Sequence, residues 1–268
     1  MKFSLQGKWV LITGASSGFG AAAASAFASE NAKLLLGARR LDRLEKVSAA
    51  TLAAGARESH FHELDVSQTA SVENFLSWAT AIMAAGKNQT PVLHVLINNA
   101  GGAHGLDTVA EGKDEDWEAM LQTNVLGVLR VTRAALPLLA RDDGASIINI
   151  GSLAGRTAYA GASAYCAAKA GELQITRVLR QELFGTGIRV STLDPGLAET
   201  EFSLVRFKGD VQKAKEVYAG ANPLVADDIA EVLLWIATRP PHVNIDEMLI
   251  KPVDQAEVGK VFRRTRNR

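Results

Sequence analysis

The sequence has one cysteine, Cys166, among 268 residues, so no disulfide can form within the chain. A chain of this kind is typical of a reducing compartment, and we expect a cytoplasmic protein. The first apolar run, Trp9 to Ile12, is too short for the core of a secretion signal. No stretch reaches the roughly 18 to 20 apolar residues that cross a bilayer, which argues against a membrane protein.

An excess of charge of either sign is also missing. The chain has 29 Lys and Arg against 29 Asp and Glu, so its formal net charge is zero. Proteins that bind nucleic acid or an anionic membrane surface usually carry a basic excess, because neutralised phosphates supply their affinity. The balance therefore predicts neither partner. The five histidines show no metal-ligand spacing, and no metal site is predicted.

Apolar residues make up 47% of the chain, and they are arranged in a regular alternation of short runs and longer amphipathic stretches. The short runs predict seven strands: Lys8–Thr13, Lys33–Ala38, His60–Leu64, Leu93–Ile97, Ser146–Gly151, Arg189–Leu193 and Glu247–Ile250. The longer stretches predict helices: Leu41–Ala54, Ser67–Ala85, Glu115–Leu139, Ser163–Phe184 and Ala226–Thr238. Since no linker or repeat divides the chain, we expect one α/β domain over residues 1–268, a doubly wound seven-stranded parallel sheet with helices on both faces.

A glycine-rich turn, Thr13-Gly14-Ala15-Ser16-Ser17-Gly18-Phe19-Gly20, follows the first predicted strand. Glycines at this place let the backbone approach a pyrophosphate, and the N-terminus of the next helix supplies free N–H groups and the positive end of its dipole. A turn that is tight for packing alone is the structural alternative. The predicted dinucleotide-binding residues are Gly14, Ser16, Ser17, Gly18, Phe19 and Gly20.

The second predicted strand ends at Arg39 and Arg40. An acidic residue here would bind the ribose 2′-hydroxyl of NAD, whereas arginine attracts the 2′-phosphate of NADP, so the pair predicts NADP. The alternative, that the arginines only open a charged helix, fits Arg40 better than Arg39. The ends of the third and fourth strands are predicted to line the same cofactor through Asp65, Val66, Asn99, Ala100 and Gly101.

Ser152 follows the fifth predicted strand, and Tyr165 and Lys169 are four residues apart on the next helix, so the latter two lie on one helix face. A phenol has a reference pKa near 10, and each unit by which it is lowered needs about 1.4 kcal/mol of preferential stabilisation of the phenolate. An ammonium one turn away supplies part of this. Ser152 is predicted to hydrogen-bond the oxygen of the substrate and the charge that develops there.

Residues 197–223 break the alternation of strands and helices, since they carry mixed charge and little periodicity. They follow the end of a predicted strand, where ligands collect in parallel sheets, so we predict a substrate lid there. A solvated surface loop is the alternative. The last seven residues, Phe262–Arg268, contain four arginines and are expected to form a frayed tail, with a subunit contact as the second possibility.

These motifs, taken together with Asn124 and Pro195-Gly196, closely resemble those of the short-chain dehydrogenase/reductase family over nearly the whole chain. The resemblance implies a Rossmann fold and a catalytic tetrad of Asn124, Ser152, Tyr165 and Lys169. In that scheme Tyr165 exchanges a proton with the substrate oxygen, Lys169 also holds the nicotinamide ribose, and Asn124 orients a relay water. The family pattern adds Pro195, Gly196 and Thr200 to the predicted cofactor site. It also implies a homotetramer built through the helices predicted at Glu115–Leu139 and Ser163–Phe184.

The segment Asp194–Asp210, with Pro240–Asn244 and Pro252-Val253, is similar to a subgroup of NADP-dependent 3-hydroxy acid dehydrogenases. Such substrates carry a carboxylate, which a guanidinium matches with two hydrogen bonds. Arg206 is the predicted carboxylate ligand and Arg156 a second candidate. The alternative for Arg206 is a structural pair with Glu199, Glu201 or Asp210.

The predicted activity is therefore the NADP-dependent interconversion of a small 3-hydroxy acid and its 3-oxo acid or semialdehyde. Residues 103–113 and 156–158 are individual to this chain, so another small carbonyl, sulfoacetaldehyde or a 3-oxoacyl thioester, stays an alternative. A protein that senses NADP without turnover is the alternative from another functional class, although it would have no need of Tyr165 and Lys169 together.

Overall fold

The computed structural model describes residues 2–85, 90–141 and 144–264. Within them the strands are β1 (Trp9–Thr13), β2 (Lys33–Ala38), β3 (Glu58–Glu63), β4 (Val95–Asn98), β5 (Ser146–Ile150), β6 (Arg189–Pro195), β7 (Glu247–Ile250), β8 (Gln255–Glu257) and β9 (Lys260–Val261). The α-helices are α1 (Gly18–Ser29), α2 (Leu41–Ala53), α3 (Thr69–Met83), α4 (Asp114–Leu121), α5 (Gly127–Ala135), α6 (Ser163–Glu182), α7 (Phe202–Arg206), α8 (Val211–Glu216) and α9 (Ala226–Ala237). None of these helices is long and apolar enough to cross a bilayer.

Strands β1 to β7 form one parallel sheet in the order β3-β2-β1-β4-β5-β6-β7. The chain builds outward from β1 to β3 and then crosses back to β4, so the winding reverses between β1 and β4. In sheets of this kind, ligands bind beyond the carboxyl ends of the strands at such a reversal. The predicted fold class, a doubly wound seven-stranded parallel sheet, is confirmed.

The inner strands of the sheet are buried on both faces, which explains why most of them are apolar runs. All five residues of β1 are buried. Val10 and Ile12 share one core with Phe27 of α1 and with residues of α2 and α9. Trp9 and Leu11 face the opposite core, which contains residues of α3, α5 and α6.

The edge of the sheet differs from the prediction. β3 begins at Glu58 and ends at Glu63, not at His60 and Leu64, because its residues are half-exposed and form no clear apolar run. β4 begins at Val95, while Leu93 makes an isolated bridge with Leu139. The hairpin of β8 and β9 was not predicted, since strands of three and two residues leave no periodic signal.

The helix predicted at Glu115–Leu139 is interrupted. α4 passes into a π-helical turn at Gln122–Leu126, then into α5, and a 3₁₀ turn at Leu136–Leu138 ends the stretch. The Asn124 side chain donates a hydrogen bond to the Met120 carbonyl oxygen at 2.8 Å within the interruption. Single π turns are frequent at functional sites, and this one contains a predicted tetrad residue.

Residues 197–223, the lid segment, contain α7 and α8 and leave the sheet after β6. A bridge between Ala198 and Leu224 joins the two ends of the segment. The C-terminal residues pack against it: Arg263 donates to the Val217 and Ala219 carbonyl oxygens, and Arg264 pairs with Asp254. The expectation of a frayed tail is therefore wrong for residues 262–264, and residues 265–268 lie outside the described part of the chain.

Candidate active site

The glycine turn connects β1 to α1 and packs closely against the end of β4, which requires glycine at two positions. Gly14 has φ +67°, and a Cβ there would lie 2.8 Å from Asn99 Nδ2 and 2.9 Å from Ala100 Cα. A Cβ on Gly20 would lie 2.5 Å from the Gly14 carbonyl oxygen. Gly18, with φ +53°, begins α1 beside Thr200. The turn thus places backbone N–H groups and a helix N-terminus at the carboxyl edge of the sheet, a suitable place for an anion.

Of the two arginines after β2, Arg40 contacts this turn directly. It donates to Ser16 Oγ through Nε at 3.2 Å and to Ser17 Oγ through Nη2 at 2.7 Å. Its Nη1 pairs with Glu201 of the lid segment at 3.0 Å, and Arg43 binds the other oxygen of the same carboxylate. The hydrogen bond from Arg43 is the main reason that the pKa of Glu201 is lowered. Arg39 is exposed beside this group.

The ends of β1 and β4 are joined by side-chain hydrogen bonds. Asn99 Nδ2 donates to the Thr13 and Gly14 carbonyl oxygens at 2.8 and 3.2 Å. Thr13 Oγ1 accepts from the backbone N–H groups of Asn99 and Ala100. The glycine turn and the end of β4 therefore form one rigid floor for the predicted cofactor.

The remaining predicted cofactor residues surround this floor. Asp65 caps the turn after β3, where its Oδ1 accepts from Ser67, and Val66 is buried. Gly196 donates its N–H to the Ile250 carbonyl oxygen, which fixes the start of the lid segment after Pro195. Phe19 is only partly buried and packs against the core under α1.

Two members of the predicted tetrad, Asn124 and Lys169, come together beyond the end of β4. Asn124 Oδ1 accepts from the Gly102 N–H at 3.1 Å, and its Nδ2 donates to the Gly102 carbonyl oxygen at 2.9 Å. A Cβ built on Gly101 would lie 2.6 Å from Asn124 Oδ1 and 3.6 Å from Lys169 Nζ. Gly101 is therefore the point at which the π turn, the end of β4 and α6 meet.

Tyr165 and Lys169 are both buried on α6. Lys169 Nζ donates to the Ile150 carbonyl oxygen and to Glu172 Oε2, each at 2.7 Å. Burial favours neutral Lys169, but the charges of Glu172 and Tyr165 outweigh it, and the pKa of Lys169 is raised. Ser152, whose Oγ accepts from the Ala154 N–H, begins the short turn that packs against this part of α6.

Arg206, on α7 of the lid segment, lies over Tyr165. Its guanidinium carbon is 5.6 Å from the ring centres of both Tyr159 and Tyr165. Nε donates to the Gly105 carbonyl oxygen at 3.0 Å and Nη1 to Tyr159 Oη at 2.9 Å. Nη2 is buried and has no hydrogen-bond partner among the described residues. Such an orphaned donor is costly unless a ligand satisfies it.

The alternative pairing of Arg206 is not found. Glu201 binds Arg40 and Arg43 instead, and Asp210 caps α8 through the Lys213 N–H. Arg206 and Tyr165 line the same cleft. The other residues that line it are His104, Gly105, Asp107, Lys113, Asp116, Trp117, Met120, Gly161, Ala162, Ser163 and Ala164.

The short-chain dehydrogenase family model matches residues 8–210. The chain belongs to the short-chain dehydrogenase family. It is 41% identical over 267 residues to an NADP-dependent 3-hydroxy acid dehydrogenase of Schizosaccharomyces pombe, covering 97% of this chain and 98% of that protein. It is 43% identical to a sulfoacetaldehyde reductase of Chromohalobacter salexigens, covering 92% and 94%. A serine dehydrogenase solved in a closed form with NADP⁺ superposes with a TM-score of 0.84 at 36% identity, covering 96% and 100%.

Within this short-chain dehydrogenase, Arg156 lies in an ionic network behind Ser152. It contacts Asp194 of β6 and, at 2.7 Å, Glu247 of β7, which Arg177 also binds. The hydrogen bond from Arg177 is the main reason that the pKa of Glu247 is lowered to about 2. Arg156 is thus bound to two carboxylates and does not line the cleft, so the geometry favours Arg206 as the ligand of a substrate carboxylate.

The sequence did not predict the roles of three residues at the site. Glu172 and Glu201 are acidic residues on helical or mixed-charge stretches, where a solvated charge is the ordinary expectation. Tyr159 meets Arg206 only through the fold, because 47 residues separate them. The spacing of Glu172, three residues after Lys169 on the same helix, is the one local signal that pointed to any of them.

Proposed function

We propose that this short-chain dehydrogenase is an NADP-dependent oxidoreductase that interconverts a small 3-hydroxy acid and its 3-oxo acid or semialdehyde. The observation that carries the proposal is the juxtaposition of Tyr165, Lys169 and Arg206. Tyr165, the proposed proton donor, and Arg206, with its unsatisfied guanidinium N–H, line one cleft, and Lys169 lies one turn further along α6 from Tyr165. An alcohol and a carboxylate a few bonds apart would occupy both parts of that cleft.

The residues present fit the cofactor. Glycine at Gly14 and Gly20 lets the turn pack closely against the end of β4 and against itself, and the N-terminus of α1 that follows suits a pyrophosphate. Arg40 is held against Ser16 and Ser17 with Arg39 beside it, a cationic edge that suits a 2′-phosphate. When bound, NADP supplies the hydride that is exchanged with the substrate carbon.

The tetrad residues then have separate tasks. Tyr165 gives its hydroxyl proton to the substrate oxygen during reduction and takes it back during oxidation. Lys169, held charged beside it, favours the phenolate form of Tyr165 electrostatically. Ser152 donates to the same substrate oxygen. Asn124, bound to both backbone groups of Gly102, stabilises the π turn and orients the water through which the proton is replaced.

Arg206 is proposed to bind the substrate carboxylate through Nη2. The lid segment supplies this residue, and α7 packs over Tyr165 through Phe202, whose ring centre is 5.6 Å away. The backbone of Arg206 is also bonded to the Gly105 N–H, so the lid and the loop before α4 are joined at the ligand. Burial of the carboxylate against this guanidinium would exclude water from the reacting atoms.

Reduction of sulfoacetaldehyde is the second candidate. The relative from Chromohalobacter salexigens supports it, and so does the presence of His104 in the cleft. A sulfonate has one more acceptor oxygen than a carboxylate, and His104 and Arg206 together offer more donors than a carboxylate needs. Burial lowers the pKa of His104, which would then donate as a neutral ring.

A substrate panel tests the proposal. Purified protein with NADP is mixed with serine, allo-threonine or 3-hydroxypropionate, and reduced cofactor is followed by absorbance; sulfoacetaldehyde with NADPH is the parallel reaction. We expect turnover of at least one 3-hydroxy acid and little with 2-propanol. Flat traces with all three acids, together with turnover of sulfoacetaldehyde or a neutral alcohol, would contradict the 3-hydroxy acid activity.

We also propose that the protein is a cytoplasmic homotetramer. Exposed large apolar side chains on α4, the π turn, α5 and α6 support the assembly, since a subunit contact would cover apolar side chains of this kind. Those that are exposed are Leu121, Leu126, Leu129 and Val178. Light scattering after size-exclusion chromatography should give four times the mass of the chain, and the variant Leu129→Asp should give smaller species.

A further inference from the structure

One charged side chain beside the tetrad has no part in the proposed function. The Glu172 carboxylate accepts a hydrogen bond from Lys169 Nζ at 2.7 Å. The two side chains are 2% and 8% exposed, respectively. Burying an ionised group costs free energy unless the group is paired. A buried glutamate at this place therefore depends on its ion pair with Lys169.

Glu172 continues the line of reacting groups along α6. Tyr165, Lys169 and Glu172 are separated by four and then three residues, which places all three on one face of the helix. Lys169 is the middle member. Along α6 the proposed proton donor Tyr165 is therefore followed by the cation Lys169 and then by the carboxylate of Glu172, which binds the cation.

Two acceptors hold the ammonium of Lys169. An ammonium has three N–H donors, and two of them are bound by the Ile150 carbonyl oxygen and by Glu172 Oε2. A Cβ built on Gly101 would lie 3.6 Å from Nζ, so the loop after β4 is also close to the ammonium. With two of its three donors bound, the ammonium is held in place, and Glu172 supplies one of the two hydrogen bonds that hold it.

Glu172 is also the strongest of the groups that raise the pKa of Lys169. Burial alone would lower the pKa of Lys169, and a neutral amine would not favour the phenolate form of Tyr165. Asp194, on β6, is the other carboxylate close enough to act on the pair, but Thr192 and Arg156 bind its oxygens. Burial raises the pKa of Glu172 itself to about 7.

We propose that Glu172 is a positioning residue that keeps Lys169 charged and directed towards Tyr165, so that the three side chains act as one unit. Glu172 acts through Lys169 and touches the reacting atoms through no contact of its own. The logic is that of a catalytic group oriented by a third residue. The inference rests on the proposed function, since it takes Tyr165 as the acid–base group.

The isosteric variant Glu172→Gln tests the role, with Glu182→Gln near the end of the same helix as the exposed control. We expect kcat to fall about 10- to 100-fold in Glu172→Gln while KM for cofactor and acid changes by less than about threefold. The variant should also lose activity at a lower pH than wild type as the pH rises, because Lys169 loses its proton more easily without its counter-ion. The control should match wild type. A pH profile parallel to that of wild type would overturn the proposal.

A cycle with Lys169→Met separates action through Lys169 from an independent effect. Adding Glu172→Gln to Lys169→Met should cause no further loss of residual activity, because the residue that Glu172 positions is already gone. Losses that multiply would overturn the proposal.

Unfolding of the same four proteins in urea gives a readout that needs no turnover. Lys169→Met leaves a buried carboxylate unpaired, so the double variant should be more stable than Lys169→Met alone. If wild type reduces or oxidises nothing, the proposed function fails, yet this cycle still tests the ion pair. If wild type is active and Glu172→Gln equals it in kcat and pH profile, the role of Glu172 alone is refuted.

Discussion

Two ionic clusters of this short-chain dehydrogenase use the same side-chain chemistry in opposite surroundings. Lys169 and Glu172 form a pair beneath the cleft, with side chains less than a tenth exposed. Arg40, Arg43 and Glu201 meet at the glycine turn, each about two-fifths exposed. Water and salt screen the second cluster but not the first. The buried pair can therefore set a fixed charge for the chemistry, whereas the exposed cluster can exchange partners when an anion binds.

The largest effect is expected when the hydroxyl group of Tyr165, on which the buried pair acts, is removed. Tyr165→Phe should lower kcat about 1,000-fold, since the general acid–base group is lost while its surroundings stay intact. Binding of NADPH, measured by its fluorescence, should stay within about twofold of wild type because the glycine turn and Arg40 are unchanged. Retained turnover in the variant would place the proton transfer elsewhere.

Arg206 is almost as buried as the Lys169–Glu172 pair, since it is 9% exposed, but like Glu201 it belongs to the lid segment. Arg206→Ala should lower kcat/KM for 3-hydroxy acids about 30- to 100-fold, because a charge-assisted hydrogen bond to the carboxylate is lost. Neutral alcohols of the same size should lose far less. Arg133→Ala, an exposed arginine on α5, serves as the control. Equal losses on acids and neutral analogues would show that Arg206 only packs against Tyr159 and Tyr165.

The sequence predicted the features that depend on residues close together in the chain. The glycine turn needs specific residues at short spacing, and Tyr165 and Lys169 are one helical turn apart, so both are visible without the fold. The buried strands in the middle of the sheet are visible as mainly apolar runs. β3 was placed less well because edge strands are half-exposed and its residues include Glu58, His60 and His62.

Long-range charge pairing is what the sequence could not show. Arg156 was a plausible carboxylate ligand until β6 and β7 placed Asp194 and Glu247 against it. Glu172 looked like one more polar residue of an amphipathic helix, because its burial depends on packing that only the fold creates. In both cases the residue types were visible, but the partners that decide their roles come from other strands or from the depth of the site.

The ionic network of Glu247 is more exposed than the Lys169–Glu172 pair and less exposed than the Arg40 cluster. The contribution of Glu247 to stability can be measured through its dependence on pH. Its pKa is lowered to about 2, so its contribution to stability is present above its unfolded value and is lost as the pH falls towards 2. Glu247→Gln should cost about 1 to 2 kcal/mol of unfolding free energy at pH 7, after allowance for solvent screening of Arg177.

Urea unfolding at pH 7, 4 and 2.5 checks this, with the exposed Glu257→Gln as the control. The difference between wild type and Glu247→Gln should shrink as the pH is lowered from about 4.5 to 2, because wild-type Glu247 then becomes protonated as well. A difference that stays constant over this range would mean that the glutamate stabilises the strand by packing and not by charge.

The smallest effect is expected at the exposed cluster, and it tests whether Glu201 competes with the cofactor. Glu201→Gln removes the carboxylate that now occupies Arg40 and Arg43. If the 2′-phosphate needs the same guanidinium groups, the variant should bind adenosine 2′,5′-bisphosphate about threefold more tightly, because exposed charge pairs contribute up to about 1 kcal/mol. Calorimetry at low and high salt measures this, and adenosine 5′-phosphate, which lacks the 2′-phosphate, should bind equally to both proteins. Weaker binding of the bisphosphate would reverse the interpretation, since Glu201 would then hold the arginines ready for the phosphate instead of occupying its place.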